Sequence, residues 1–221
     1  MANRETTENY RKELMFDYSE GQIDKLFSYI DMVLERNQHI NLTAVKDRDE
    51  AVQKHIADSL TICKLDEYKN AESVVDIGTG AGFPGALLAI ASSDKKFVLM
   101  DSTLKRLKVI DEFAAKLDIL NITTLHARAE EVARKEEYAG QFDLCVSRAV
   151  ANLATLSGWC LPFVKKGGCF ISYKGENYQE EIAVAEKTIK KYGGRLKRVV
   201  EVSGVSEEIS GHVLLVIEKV K

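Results

Sequence analysis

Val74-Val75-Asp76-Ile77-Gly78-Thr79-Gly80-Ala81-Gly82-Phe83-Pro84-Gly85 decides how this chain folds. A short β-branched run over 73–77 enters a turn that holds four glycines. Pro84-Gly85-Ala86-Leu87-Leu88-Ala89-Ile90 leaves it as a helix carrying Pro84 in its first turn, a favoured place for proline. Gly78, Gly80, Gly82 and Gly85 are more than a tight turn requires. Glycines allow positive φ and leave the backbone bare, so a ligand can touch it.

Working outward, strand-like runs recur at 97–100, 122–125, 142–146 and 168–173, with helical stretches near 104–117, 129–137, 151–161 and 178–191 between them. Alternating strands and helices argue for a parallel sheet covered on both faces. The runs at 195–202 and 212–220 are joined by a polar segment too short for a crossover helix, so they should pair antiparallel. Upstream, Ile23, Leu26, Phe27, Ile30, Val33 and Leu34 mark one face of an amphipathic helix. A second helical stretch should run over 48–63, with Asp47 as N-cap and Glu50 as its capping-box partner. The expected fold is a doubly wound α/β domain with a mostly parallel, Rossmann-like seven-stranded sheet. It ends in an antiparallel strand pair and begins with a helical extension over 1–70; the ligand-binding domain spans 71–221.

Composition narrows the class. The chain has 221 residues, 45% apolar and 29% charged, with two prolines. That is ordinary for one globular domain with an appendage and excludes a proline-built linker protein. No apolar run approaches the ~18–20 residues of a membrane helix. The first residues lack an apolar signal core, which predicts a cytoplasmic protein. A net charge of −3 rules out a strongly basic arm, so a nucleic-acid surface would be a local patch. Cys63, Cys145, Cys160 and Cys169 show no zinc spacing, the four histidines no metal spacing, and free thiols in a reducing compartment are expected.

Three ligands compete for the glycine loop. Gly80 and Gly85 have the spacing of a P-loop, but Ala86-Leu87 stands where Lys-Ser/Thr is needed, so the phosphate clamp is missing. Gly80-x-Gly82-x-x-Gly85 fits a dinucleotide fingerprint, with Asp101 at the spacing of a ribose-binding acid. S-adenosylmethionine is the third. It carries an ammonium and no phosphate, which suits an acid such as Asp76 beside the loop. Asp101 closes the second strand and can accept from both ribose hydroxyls. Glu130, after the third strand, could border an adenine.

The ordered set of motifs resembles the class I S-adenosylmethionine-dependent methyltransferases and, more closely, the bacterial RsmG (GidB) family of small-subunit rRNA guanine-N7 methyltransferases. The residues are Asn41-Leu42-Thr43-Ala44-Val45, His55-Ile56-Ala57-Asp58-Ser59-Leu60, the glycine loop, Asp101-Ser102, Lys105-Arg106, Ser147-Arg148-Ala149 and Lys174-Gly175. The resemblance runs from about residue 20 to the end. It implies S-adenosyl-L-methionine as cofactor, held by Gly78, Phe83, Ala129, Glu130 and Arg148, with Asp101 as ribose acid. Asp76, Gly80, Gly82 and Ser102 complete the expected cofactor set. It also implies guanine 527 of 16S rRNA as methyl acceptor, met within the 30S subunit or an assembly intermediate; the spacing and hydropathy above predict no metal and no membrane, and no obligate protein partner is inferred.

The absences agree with that acceptor. Methylation of an exocyclic amine commonly uses an Asp/Asn-Pro-Pro-aromatic loop, and Ser147-Arg148-Ala149-Val150 stands there instead. Carbon-5 methylation needs a placed thiolate, and neither Cys145, mid-strand, nor Cys160, in a helical stretch, is placed for attack. Guanine N7 has a lone pair and no hydrogen, so positioning suffices. Arg148, at a strand end, is expected to hold the cofactor carboxylate or the substrate nucleotide; otherwise it would pair with Asp143 or Glu176. Lys46, Arg48, Lys54, His55, Lys105, Arg106 and Lys174 are the RNA-binding candidates, and the densest basic group lies at 190–198. An NAD-dependent oxidoreductase and a non-catalytic rRNA-binding protein stay open as alternatives.

Overall fold

The structure, a computed structural model, describes residues 3–14, 17–202 and 211–221. Seven strands form one sheet: β1 (Ser73–Ile77), β2 (Lys96–Asp101), β3 (Ile122–His126), β4 (Phe142–Arg148), β5 (Val164–Lys174), β6 (Gly194–Glu201) and β7 (Val213–Lys219). Their order is β3-β2-β1-β4-β5-β7-β6. β1 runs parallel to β2 and β4, while β7 pairs antiparallel with both β5 and β6. The strand order reverses between β1 and β4, and ligands of open α/β sheets gather outside the carboxyl ends at such a point.

The helices are α1 (Asn3–Leu14), α2 (Glu20–Asn37), α3 (Arg48–Ala51), α4 (Asp58–Leu60), α5 (Asp66–Lys69), α6 (Gly85–Ala91), α7 (Leu104–Lys116), α8 (Ala129–Val132), α9 (Leu153–Cys160) and α10 (Tyr178–Lys191). Both sheet faces are buried, which is why the central strands read as near-continuous apolar runs. Side chains alternate between the two layers. Val74, Leu144, Val146, Leu214 and Val216 pack with α2, α6 and α7. Val75, Ile77, Cys145, Leu215 and Ile217 pack with α9 and α10.

The N-terminal helices share the first of these cores. Ser19 and Gln22 form a capping box at the start of α2, and Ile23, Leu26, Ile30 and Val33 are buried on its inner face. Tyr29 donates from its hydroxyl to the Ala81 carbonyl at 2.9 Å, tying α2 to the glycine loop.

Four local expectations need correction. The stretch 48–63 is not one helix: α3 passes into a π-helical turn (Val52–Ala57), then α4, then a 3-10 turn (Thr61–Lys64). Asp47 caps it by accepting from the Asp49 and Glu50 amides, both at 3.0 Å, but Glu50 pairs with Lys54 at 2.7 Å. The helix foreseen over 129–137 ends at Val132, and Pro84 stands at the N-cap of α6, outside its first turn. The four cysteines are free, three of them buried. Among the described residues no helix is long and apolar enough to cross a membrane.

Candidate active site

The glycine loop is held from β2. The amides of Gly78 and Thr79 donate to the Met100 carbonyl at 2.9 and 3.0 Å. Asp101, 6% exposed, accepts from the Gly80 amide at 3.0 Å through Oδ2 and from the Thr103 amide at 2.8 Å through Oδ1. A carboxylate oxygen has two lone pairs, so each keeps one for a ligand. Gly80 takes φ +59°, and a Cβ there would meet nothing within 4 Å. Its bare face looks into a cleft of about 480 Å³.

That cleft brings together most of the expected cofactor residues. Gly78, Gly80 and Phe83 line it from the loop, Asp101 and Ser102 from the end of β2, Ala129 and Glu130 from the start of α8, and Arg148 from the end of β4. Asp76 and Gly82 do not line it. Asp76 is fully buried beneath the loop and accepts from the Gly85 amide at 2.9 Å, so it braces the start of α6. Burial pushes its carboxyl up to about 6, against the Thr79 hydroxyl and the Gly85 amide. A direct contact with a ligand ammonium is therefore not its place, and it offers no ground against a dinucleotide. Gly82 faces the Tyr29 hydroxyl, 2.2 Å from where a Cβ would stand.

Arg148 pairs with neither Asp143 nor Glu176. Asp143 instead takes Lys165 and the Ser73 hydroxyl and amide. Arg148 reaches across to the N-terminal segment. Its Nη1 donates to Asp58 Oδ2 at 2.8 Å and to the Lys54 carbonyl at 3.1 Å. Its Nη2 lies 3.3 Å from His55 Nδ1, and its guanidinium sits 5.4 Å from the centre of the Phe83 ring. The side chain is 12% exposed. Ala149, straight after it, takes φ +55°, a left-handed setting that costs a non-glycine residue about 1–2 kcal/mol.

His55 stands in the π-helical turn, a feature frequent at functional sites. Its ring stacks on Phe83 with centroids 4.3 Å apart. Burial, then the Arg148 charge, pushes its pKa down to about 3, so the imidazole is neutral at pH 7. With Nδ1 accepting from Arg148, Nε2 carries the proton and donates to Thr43 Oγ1 at 2.9 Å. His55 is thus not a cation for phosphate.

Asp58 anchors Arg148, a role that its place within His55–Leu60 of the quoted motifs does not signal. Burial works against its charge, but His212 and Arg148 outweigh burial and hold the carboxyl below its usual range. Trp159, the one tryptophan, lines the cleft from α9 and was also missed; a half-buried aromatic in a helix reads as core.

The other basic candidates scatter. The Lys174 side chain is 9% exposed and donates to the Ala151 carbonyl at 2.8 Å and to Glu181 at 2.7 Å, so in this structure it is engaged within the protein. Arg48 pairs with Asp31 at 2.5 Å and Lys54 with Glu50 at 2.7 Å. Lys105 is exposed on α7. Arg106 lies at the cleft, 3.7 Å from Asp101. Lys46 lines a neighbouring groove. The dense group at 190–198 lies at the β6 end of the sheet, where Glu67 takes Lys197 and Arg198 at 2.9 and 2.6 Å.

A Rossmann-like sheet with this strand order and a glycine loop at its switch point defines a methyltransferase-like fold. It is similar to the ribosomal protein L11 methylase of Lactobacillus delbrueckii subsp. bulgaricus, with TM-score 0.54 and 19% identity over 75% of this chain and 77% of the other. It is also similar to M. jannaschii TYW2 in complex with AdoMet, with TM-score 0.58 and 19% identity over 76% and 77%. At such identity the likeness speaks for the fold alone. The sequence goes further: the GidB family, rRNA small subunit methyltransferase G, matches residues 22–210. The Ribosomal RNA small subunit methyltransferase G of Clostridium tetani is 43% identical over 204 residues, 92% of this chain and 85% of that protein. That of Clostridium botulinum (strain ATCC 19397 / Type A) is 40% identical over 209 residues, 95% and 87%. The chain belongs to the GidB family of rRNA small subunit methyltransferases.

Proposed function

We propose that the protein methylates N7 of a guanine in 16S rRNA, guanine 527 by family resemblance, using S-adenosyl-L-methionine, on the 30S subunit or an assembly intermediate. The observation that carries this reading is the cradle formed by Gly80 and Asp101. The glycine is open where any Cβ would fill the cleft, and the adjoining carboxylate has spare lone pairs for ribose hydroxyls. When bound, S-adenosylmethionine supplies a methyl on positively charged sulfur, open to in-line attack by a lone pair.

The chain's own residues bind and orient. Asp101 takes the ribose. Ala129 and Glu130 border the adenine. Arg148, fixed over Phe83 by Asp58, offers its charge to the cofactor carboxylate. No side chain needs to remove a proton, because guanine N7 carries none. His55, the one imidazole lining the cleft, agrees: its neutral ring has both nitrogens engaged and is too weak a base to act near pH 7. Family membership, rather than Asp76, weighs against a nicotinamide cofactor.

The test is transfer of labelled methyl from S-adenosylmethionine to 30S particles lacking the modification, followed by mapping of the labelled base. One N7-methylguanosine in 16S rRNA is expected. Label on an exocyclic amine, on a base carbon or on ribosomal protein overturns the reading.

A further inference from the structure

Beside the cofactor cleft lies a second groove of about 1040 Å³, and it shares Leu42, Thr43 and Arg106 with that cleft. The groove follows the end of α2 and the loop after it. The loop is prebuilt. Asn37 Oδ1 accepts from the amides of Leu42 and Thr43 at 2.7 and 3.0 Å, and its Nδ2 donates to the Thr43 carbonyl at 2.9 Å. Thr43 is in turn fixed by His55, which touches Arg148. Asn37 is therefore spent on the scaffold. Glu35, Gln38, Asn41 and Lys46 are not: exposed along the same groove, they make no side-chain hydrogen bond or ion pair among the described residues. A rigid loop that presents unengaged polar groups, next to a cofactor cleft, has the form of a recognition site.

We propose that this groove receives the acceptor nucleotide, a guanine swung out of the RNA, and that Glu35 reads its Watson–Crick edge. This rests on the rRNA-guanine reading above. The two edges of guanine set the orientation. N7 and O6, both acceptors, lie on one edge; N1–H and the N2 amino group, both donors, lie on the opposite side. To be methylated, N7 must face the cleft, across the border of Leu42, Thr43 and Arg106. Arg106 can donate to O6 there. The donor edge then points away from the cleft, toward residues that line the groove alone. Of these Glu35 is the carboxylate, and a carboxylate accepts N1–H and N2–H together. Adenine offers an acceptor at N1 and would leave Glu35 desolvated and unpaired, which makes the site selective. Lys46, on the same groove, suits the flanking phosphate.

The experiment pairs an enzyme change with a base change. Wild type and Glu35→Gln are assayed on 30S particles reconstituted with 16S rRNA carrying guanine or inosine, which lacks the N2 amino group, at the methylated position. Cofactor binding is followed separately through Trp159 fluorescence on adding adenosylhomocysteine. Wild type should lose about 10- to 100-fold in kcat/KM on inosine. Glu35→Gln should lose a similar factor on guanine, lose little more on inosine, and bind adenosylhomocysteine as wild type does. An inosine penalty as large in Glu35→Gln as in wild type overturns the assignment of Glu35. A cross-link from 6-thioguanine at that position should map to Arg106 or within 34–46, the residues that line the groove; mapping elsewhere overturns the groove. If wild type labels no guanine at all, the parent reading falls and takes this one with it.

Discussion

Asp58 and Arg148 show what a single side chain could and could not reveal in the sequence. Arg148 was legible because strand ends near a glycine loop collect ligand contacts. Its partner was not, since the two stand 90 residues apart and only the finished fold brings them to 2.8 Å. Lys174 shows the converse: a lysine in a strand-end motif reads as available, while in the fold its ammonium is engaged by Glu181 and a carbonyl. The pair gives a test. Asp58→Asn leaves a buried guanidinium without its carboxylate, a change worth about 3–5 kcal/mol, so the melting temperature should fall with cofactor affinity. Replacing both residues by leucine should recover much of the melting temperature and none of the affinity. Recovery of both, by thermal melts and Trp159 fluorescence, would remove Arg148 from the cofactor site. Asp101→Ala should weaken adenosylhomocysteine binding about 10- to 100-fold, one charge-assisted contact being worth ~1.5–3 kcal/mol. Unchanged affinity by calorimetry would leave Asp101 with the loop alone.

Among elements, those with a strict period were the most legible. The α2 face at helical spacing and the strands β1 to β4 formed where the sequence placed them, while β5 starts at Val164, ahead of the run at 168–173. The π-helical turn was not legible, because an inserted residue leaves no mark in a short apolar pattern; it carries His55, and Asp58 directly after it, to Arg148. The loop between β1 and α6 was legible as a ligand loop, but its glycines divide by duty, which spacing does not tell. Gly80 opens on the cleft. A Cβ on Gly85 would stand 2.2 Å from Leu99 Cδ2 and 2.8 Å from Asp76 Oδ2. Gly80→Val should therefore stay folded and lose adenosylhomocysteine binding, since a β-branched residue resists positive φ and would fill the ligand's space. Gly85→Val should lose several kcal/mol of stability through overpacking. Urea melts together with binding titrations separate the two. A Gly80→Val protein that binds like wild type would make the loop a mere turn.

At the scale of the whole molecule, the sheet order puts the switch point between β1 and β4, and one carboxylate sits inside the protein directly beneath it. Asp76 looked like a ligand group from its place before the glycines; burial cannot be read from one acid in an apolar strand, and the fold made it a structural brace. Its titration ties the stability of the entire fold to pH. An ordinary aspartate has a pKa of 3.8, and here burial raises it to about 6. The folded protein thus binds this proton more tightly than the unfolded chain. The stabilising contribution is complete below about pH 3.8, shrinks as pH rises, and is gone above about pH 6. At 1.36 kcal/mol per pKa unit, the range is on the order of 3 kcal/mol. Asp76→Asn keeps a carbonyl oxygen for the Gly85 amide and cannot ionise. Urea melts of both proteins from pH 4 to 8, without cofactor, compare them on equal terms, because every other titrating group is common to both. The variant should gain on wild type steadily between pH 4 and 6 and hold a constant lead above. A difference that does not change with pH would mean that Asp76 is charged in the folded protein throughout, and its role as a neutral brace at low pH would have to be abandoned.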